Sequence, residues 1–196
     1  MHDGPASIFA KQPRVILTTP RLILRTAAEP DITIMWQRVL GDSEVMRYVF
    51  QGVPMTLERA GEVMRKFFTF GDTLTGIAIL VEKSTAEMIG FAGLFPCTAL
   101  GVDDFEIGFV LARQAWGRGI AAEIGEAQLA FGFEQLNCDR LLGLADPKNG
   151  PSIHILKKLG MRYLKDITEP GRANRSVFCL EAGEWRRRGP RTAGID

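Results

Sequence analysis

The sequence has few of the residues that build disulfide frameworks and zinc sites. Its 196 residues include two histidines and three cysteines, and Cys97, Cys138 and Cys179 lie about forty residues apart without a Cys-x-x-Cys pair. An odd, widely spaced set fits neither a disulfide scaffold nor a zinc site. We therefore expect reduced thiols, no bound metal and a cytoplasmic location.

Long apolar runs and net charge are also lacking. No apolar run approaches the ~18 residues that cross a bilayer, and residues 1–13 lack the basic and apolar segments of a secretion signal. The 24 Lys and Arg and 23 Asp and Glu leave a net charge of +1, so no global field attracts a polyanion. We expect no membrane or nucleic-acid partner, and the arginines at 186–188 are interpreted as a solvated tail.

Hydrophobic periodicity and turn residues predict one mixed α/β sheet with helices on its faces. The expected order is β, α, α, β, β, β, α, β, α, β, β, in one domain over residues 14–185. A flexible N-terminus at 1–13 and a C-terminal tail at 186–196 flank it. The predicted strands cover 15–26, 75–84, 86–95, 103–113, 140–146, 161–167 and 175–182, and the predicted helices cover 29–40, 56–68, 122–136 and 152–159.

The spacing of apolar residues marks two of the predicted helices. In the first, Ile34, Trp36, Val39 and Leu40 recur at helical spacing. The second begins at Thr56, a suitable N-cap, and is expected to turn Met64, Phe67 and Phe68 inward. The aromatic side chains of Trp36, Tyr48, Phe50 and Trp116 either line an acceptor site or belong to the core, and the sequence leaves both options open.

A glycine-rich turn carries the densest chemistry. Gln114-Ala115-Trp116-Gly117-Arg118-Gly119 stands between a predicted strand and a predicted helix. A helix N-terminus exposes unpaired N–H groups and the positive end of the helix dipole. Glycines at 117 and 119 let a phosphate approach those groups, and Arg118 adds a positive charge. The alternative is a turn that only reverses the chain.

Other phosphate-binding motifs fit this turn less well. Residues 117–122 satisfy Gly-x-Gly-x-x-Ala, the dinucleotide pattern, but five residues separate the strand from the first glycine. The acidic residue expected about 20 positions further on has no counterpart at the end of the next strand, since Asp139 precedes that strand and Asp146 follows it. The Gly-Lys-Ser/Thr pattern of nucleotide triphosphatases is absent.

Gln114-x-x-Gly117-x-Gly119, after the strand Glu106-Ile107-Gly108-Phe109-Val110-Leu111, resembles the acyl-coenzyme A motif of the GNAT superfamily of N-acetyltransferases. Thr19-Pro20-Arg21-Leu22-Ile23-Leu24-Arg25 and Asn149-x-x-Ser152 followed by Leu159-Gly160-Met161 are similar to the branch of ribosomal-protein-alanine N-acetyltransferases. The resemblance runs from about residue 15 to about residue 181. It implies a single GNAT-like domain with a central, mostly antiparallel sheet and helices on both faces.

The resemblance also implies where acetyl-coenzyme A binds as cosubstrate. Backbone groups of Phe109, Val110 and Leu111 would pair with the pantetheine arm like an added strand. Asn149 would hydrogen-bond the coenzyme near that arm. The pyrophosphate would be bound by Gln114, Trp116, Gly117, Arg118, Gly119 and Ile120.

Glu106 and Ser152 are the candidate catalytic residues. Glu106 lies on the strand that leads into the glycine turn, where a carboxylate serves as general base for an amine; in the family the equivalent Glu is often proposed to act through water. The alternative for Glu106 is a solvent-exposed carboxylate. Many family members have a tyrosine as the acid where this chain has Leu156, so that role passes to Ser152 or to water, and Ser152 is otherwise a helix cap.

These residues indicate an acetyl-CoA-dependent N-acetyltransferase that works by direct attack in a ternary complex. No cysteine is expected beside a base, which disfavours a covalent acyl-enzyme. The expected acceptor is a primary amine, either a protein N-terminus or a small molecule, and a homodimer is one option for assembly. A non-catalytic acyl-CoA-binding module is the alternative function, and a nicotinamide-dependent oxidoreductase is a weaker third.

Overall fold

One mixed sheet frames the molecule in the computed structural model, which describes residues 12–71, 73–168 and 174–188. In these residues eight strands lie in the order β1-β2-β3-β4-β5-β6-β8-β7. Neighbours are antiparallel except β5 and β6, which are parallel. The strands are β1 Val15–Thr18, β2 Leu22–Arg25, β3 Ala78–Glu82, β4 Glu87–Cys97, β5 Asp104–Leu111, β6 Arg140–Ala145, β7 Arg162–Ile167 and β8 Arg175–Glu181.

Helices cover both faces of the sheet, as expected. The described residues form α1 Asp31–Met35, α2 Ser43–Met46, α3 Leu57–Phe67, α4 Ile120–Ala130, α5 Gly150–Lys158 and α6 Ala182–Arg187; π-helical turns at Trp36–Leu40 and Phe131–Gln135 extend α1 and α4. The side chains of α1–α3 pack with Ile79, Val81 and Phe91 on one face, and α4 and α5 pack on the other. Because both faces are covered, β6 is apolar almost throughout.

The region predicted as one strand at 15–26 forms two. β1 and β2 pair antiparallel, and the turn between them is closed by a hydrogen bond from the Thr19 N–H to the Leu22 carbonyl at 3.0 Å. Proline at position 20 has no N–H and a fixed φ, which favours a turn and disfavours a continuous strand. The expectation of one strand across this segment is therefore wrong.

Two apolar side chains of the predicted helices lie at the surface, and one of them, Phe67, was expected to turn inward. Phe67 is 48% exposed and Ile34 is 40% exposed, whereas Met64, Phe68 and Val39 are buried. The Thr56 side chain caps α3 as expected, by accepting from the N–H of Arg59. The helix ends at Phe67 and Phe68 adopts an extended conformation, so Phe68 turns into the core and Phe67 turns out.

The C-terminal boundary expected at 185 falls inside a helix. α6 continues to Arg187 and begins with a capping box between Glu181 and Glu184. Arg188 then donates from Nη1 to the Leu159 carbonyl at 2.5 Å and from Nη2 to the Gly160 carbonyl at 2.7 Å. Arg188, the last of the three arginines at 186–188, thus caps the end of α5. Residues 1–11 and 189–196, on which the flexible N-terminus and tail were expected, lie outside the described residues.

In the part of the chain that the structure describes, no helix has the length and apolar character needed to cross a membrane.

The layer between β6 and α5 leaves no room at Gly143. An added methyl group would lie 2.6 Å from Cδ2 of Leu156 and 3.3 Å from Sδ of Met161. We expect Gly143→Ala to lower the free energy of unfolding by about 1–3 kcal/mol through overpacking, measured by urea denaturation.

The matched control is Gly183→Ala on α6. A methyl group there has nothing within 4 Å, and alanine is the better helix former, so stability should stay unchanged or rise by up to ~1 kcal/mol. Equal destabilisation by the two substitutions would contradict close packing at Gly143.

Candidate active site

The candidate site lies where two parallel strands separate. β5 pairs with β6 at only two positions, Phe105 and Glu106, although β5 continues for five more residues to Leu111. Beyond Glu106, β5 keeps β4 as a neighbour and has no second strand beside it among the described residues. Residues 108–110 are partly exposed in the middle of the sheet. An extended ligand can therefore pair with this open strand edge.

The glycine turn follows directly at the carboxyl end of β5. After a 3-10 turn at Arg113–Ala115, Gly117 and Gly119 have φ values of 71° and 75°, a region that residues with a Cβ adopt only with strain. A Cβ at Gly117 would have nothing within 4 Å, so the space beside the turn is open. No side chain of the described residues caps α4, which leaves its first N–H groups available for an anion.

Ile120 and Gln114, two of the expected phosphate ligands, expose different groups to the site. Ile120 is 1% exposed and packs in the core beneath α4, so only its backbone N–H is available. Gln114 lies within the 3-10 turn with an exposed side chain. The geometry brings both residues next to the glycines, and backbone N–H groups dominate the turn.

Arg118 lies in an ion pair that the sequence did not indicate. Its Nη1 donates to Glu82 Oε2 at 3.3 Å, and its Nη2 contacts Glu82 Oε1. Glu82 lies on β3 and is 5% exposed. The positive charge of Arg118 is therefore partly neutralised by a buried carboxylate, and its contribution to an anion site is smaller than the sequence suggested.

A second ion pair fixes the start of α4. Glu123 Oε2 accepts from Arg21 Nε at 2.5 Å, and Glu123 Oε1 accepts from the Thr19 hydroxyl at 2.5 Å. Burial raises the pKa of Glu123, but these hydrogen bonds outweigh it and the pKa lies below its ordinary value. Arg21 Nη1 also donates to the Arg118 carbonyl at 2.8 Å. The turn between β1 and β2 thus holds the glycine turn in place.

A cleft of about 460 Å³ lies beside these ion pairs. Its cations are already bound to protein carboxylates or carbonyls, so it adds no free charge to the site. It is lined by Pro20, Arg21, Glu82, Lys83, Ser84 and Arg118.

Trp116 closes the end of β5. Its Nε1 donates to the Leu111 carbonyl at 2.8 Å, while the side chain remains 48% exposed. The carbonyl of Leu111, expected to pair with the pantetheine arm, is therefore already bonded. Phe109 and Val110 remain as the residues of the open edge whose backbone the arm would meet.

Asn149 and Ser152 meet at the start of α5. The Asn149 side chain accepts from the Ser152 N–H at 3.2 Å and is the N-cap of the helix. Ser152 is partly exposed in the first turn of the helix and is not the cap residue itself. Because β5 and β6 are parallel, the helices that follow them, α4 and α5, begin at the same edge of the sheet. Both helix N-termini therefore flank the opening between β5 and β6.

Glu106 has the most perturbed carboxyl group of the site. Burial raises its pKa from 4.5 to about 7, against the charge of Arg175, the N–H of Leu144 and the thiol of Cys97, which all favour the ionised form. Glu106 nevertheless keeps partial exposure. A carboxyl with a pKa near neutrality that solvent can reach suits proton transfer.

Three neighbours of Glu106 were missed by the sequence reasoning. Cys97 lies beside it, which corrects the expectation that no cysteine adjoins a base. Arg175 approaches from β8, and the Phe95 ring lies over Gly108, where a Cβ would come within 2.7 Å of Phe95 Cε1. The strand order brings them together; no local motif in the sequence marks them.

The position where many family members have a tyrosine is part of the core here. Leu156 is 2% exposed and packs between α5 and β6. Of the aromatic candidates for an acceptor site, Trp36 donates from Nε1 to the Met55 carbonyl at 2.9 Å and packs on the core with Phe50. Tyr48 is partly buried.

No group of three His, Cys, Asp or Glu side chains that could bind a metal ion occurs in the part of the chain described.

Comparison with known proteins agrees with this geometry. Residues 21–162 match a family model described as Acetyltransferase (GNAT) domain. The chain is 32% identical over 149 residues to an uncharacterized N-acetyltransferase, YnaD of Bacillus subtilis, a match that covers 74% of this chain and 82% of that protein.

Solved structures share the fold. An acetyltransferase (GNAT family) from Bacillus anthracis superposes with a TM-score of 0.73 at 22% identity, over 86% of this chain and 99% of that one. RimL, a ribosomal L7/L12 alpha-N-protein acetyltransferase solved with coenzyme A, gives 0.68 at 13% identity, over 87% and 99% of the two chains. With the open edge of β5, the uncapped start of α4 and the matching family model, this chain belongs to the GNAT family of acetyltransferases.

Proposed function

We propose that this protein transfers an acetyl group from acetyl-CoA to a primary amine by direct attack in a ternary complex. The observation that carries the proposal is the separation of β5 from β6 after Glu106. One opening thereby adjoins a free strand edge, the uncapped N-terminus of α4 and a carboxyl group with a pKa of about 7.

The residues of the opening fit the coenzyme. Gly117 leaves open space beside the first N–H groups of α4, which suit a pyrophosphate. Phe109 and Val110 offer extended backbone for the pantetheine amides, and Asn149 lies at the other side of the opening. When bound there, the coenzyme supplies the acetyl group as an activated thioester.

Glu106 accepts the proton of the attacking amine, directly or through water. An α-amine with a pKa of ~7.7–8.0 is mostly protonated at neutral pH, so a base that is half ionised near pH 7 matches the task. Ser152, in the first turn of α5, donates its Oγ proton to the departing sulfur and takes a proton from water in the same step. The positive helix end lowers the cost of negative charge there.

A non-catalytic acyl-CoA-binding module is the second candidate, favoured by the burial of Leu156 where many relatives have the tyrosine acid. Such a module would bind the coenzyme and turn over no amine. An enzyme or a binding module of this kind would act in the cytoplasm, where Cys97, Cys138 and Cys179 would stay reduced. Residues 14–185 would carry the activity, and a homodimer is one option for assembly.

Glu106→Gln tests the proposed base. It removes the proton acceptor and keeps the shape, so we expect kcat to fall by about 100-fold or more while the Kd for acetyl-CoA stays the same. In the parent, kcat should rise with pH with a midpoint near 7, the pKa of Glu106, and this step should vanish in the variant. Glu62→Gln on the exposed side of α3 is the control.

Cys97→Ala separates direct attack from a covalent route. Direct attack needs no nucleophilic thiol, so kcat should stay within about tenfold of the parent. Loss of turnover in Cys97→Ala together with an acetylated Cys97 in the parent would contradict the proposal, and coenzyme binding without turnover of any amine would favour the non-catalytic module.

The raised pKa of Glu106 also affects stability. Because the folded state favours its protonated form, the stabilisation is complete below pH 4.5 and is lost as pH rises from 4.5 to about 7. The free energy of unfolding of the parent, relative to Glu106→Gln, should fall by up to about 3 kcal/mol over this range. Urea denaturation at pH 5 and pH 8 measures the difference, and parallel pH profiles would show that Glu106 is not desolvated.

Gly117→Ala tests the phosphate site. The added methyl group has no protein atom within 4 Å, although the backbone at this position has a positive φ. The methyl group occupies the space beside the N–H groups of α4. We expect the Kd for acetyl-CoA to rise about tenfold or more, measured by calorimetry. Gly101→Ala is the matched control, since it too has a positive φ and nothing within 4 Å, so it carries the same backbone strain away from the site.

A further inference from the structure

Arg175 lies on the same face of the sheet as Glu106. Glu106 pairs with Leu142 of β6, and Leu142 pairs with Cys179 of β8. Alternate residues of a strand share a face, so Arg175, four positions before Cys179, faces the same way as Glu106. As the first residue of β8, it lies near the carboxyl end of β6, beside the opening.

The charge of Arg175 reaches Glu106 without direct contact. Among ion pairs within residues 12–71, 73–168 and 174–188, none joins Arg175 to Glu106 or to another carboxylate. Arg175 nonetheless stabilises the ionised form of Glu106 and so lowers its pKa. The two side chains are partly exposed. A guanidinium and a carboxylate thus lie on one face of the sheet, more than 4 Å apart.

Other charged side chains on this face of β5, β6 and β8 already have partners. Asp104 pairs with Arg140 at 2.7 Å, and Glu181 pairs with Arg162 of β7 at 3.5 Å. Among the described residues of these three strands, Glu106 and Arg175 are therefore the charged groups left for a ligand. This arrangement offers one negative and one positive partner.

We propose that Arg175 binds a carboxylate of the acceptor, and that the acceptor is a primary amine with a carboxylate a few bonds away. The inference rests on the proposed acetyl transfer. A bound acceptor places its amine at Glu106 and its carboxylate on the guanidinium, whose fork of donors matches two carboxylate oxygens. The carboxylate belongs either to a free amino acid or to an acidic residue near a peptide N-terminus.

The same geometry disfavours a polyamine. A second ammonium group would face Arg175 and find no unpaired carboxylate on these strands, so like charges would repel. Leu142 and Leu144 of β6 lie on this face between Glu106 and Arg175. They form an apolar surface that suits the short aliphatic segment between amine and carboxylate.

The test compares acceptors that differ only in the carboxylate. Acetyl transfer is measured at saturating acetyl-CoA and pH 8.5, above the pKa of about 7 of Glu106 in the parent. Each carboxylate is compared with its carboxamide within the same variant, so a change in the pKa of Glu106 affects both. One arm pairs β-alanine and γ-aminobutyrate with their carboxamides, a second pairs peptides that begin Ser-Glu and Ser-Gln, and spermidine is the third. The arm with the lower KM distinguishes a free amino acid from a peptide.

The variants are Arg175→Gln and Arg175→Lys, with Arg59→Gln on the exposed face of α3 as control. In Arg175→Gln we expect KM for carboxylate acceptors to rise about tenfold or more, KM for the carboxamides to stay the same, and the Kd for acetyl-CoA to stay the same. Arg175→Lys should restore part of the preference. If Arg175→Gln fails to fold, the parent's preference and Arg175→Lys still decide.

Equal use of carboxylates and carboxamides by the parent, or faster acetylation of spermidine, overturns the inference and leaves acetyl transfer intact. If the parent acetylates none of the amines, the proposed function fails, and binding to the coenzyme-loaded protein is then followed by saturation-transfer NMR. Preferential binding of β-alanine over its amide, lost in Arg175→Gln, still supports the carboxylate site, and equal binding of the two rejects it.

Discussion

The parting of β5 from β6 is the constraint on which the site depends. The two strands share two positions at Phe105 and Glu106 and then separate, although a parallel pair inside a sheet ordinarily continues its ladder. Separation leaves backbone groups of β5 without a strand partner and lets solvent reach the middle of the sheet. A ligand that supplies the missing strand restores the pairing, which explains how one fold creates both a binding edge and an entry to Glu106.

Two ion pairs fix the glycine turn and the start of α4, on the other side of this opening. Glu123 ties the start of α4 to the β1–β2 turn through Arg21, and Glu82 ties Arg118 to β3. Because these carboxylates pair with the nearby cations, the attraction for a phosphate in the proposed site would come from the N–H groups of α4, beside the open space at Gly117. The chain's near-zero net charge is consistent with such a local site.

The residues around Glu106 affect both its protonation and, in the proposed reaction, the binding of the acceptor. Burial favours the protonated form of Glu106, whereas the charge of Arg175 favours the ionised form. The balance leaves the pKa of Glu106 at about 7. In the proposal above, the same Arg175 would supply the positive partner for the acceptor. In the proposed reaction, side chains on this face would decide the acceptor, and the coenzyme edge would not decide it.

The sequence alone determined what is local. The helix start at Thr56, the hairpin of β3 and β4, the helix stop at Gly160 and the glycine turn each follow from turn and cap residues within a few positions. The motif from Gln114 to Gly119 also indicated the family correctly. Helical spacing did not separate Phe67 from Phe68. Both side chains were expected to turn inward, and only that of Phe68 does.

Only the tertiary structure decided what distant segments do together. Glu82 reaches Arg118 across 36 residues, Arg21 reaches Glu123 across 102, and the charge of Arg175 acts on Glu106 because β8 lies beside β6. No periodicity or motif encodes such pairs, since charge partners are chosen by strand order and by the face on which each side chain emerges. The burial that raises the pKa of Glu106 likewise exists only once four strands and their covering loops have packed around it.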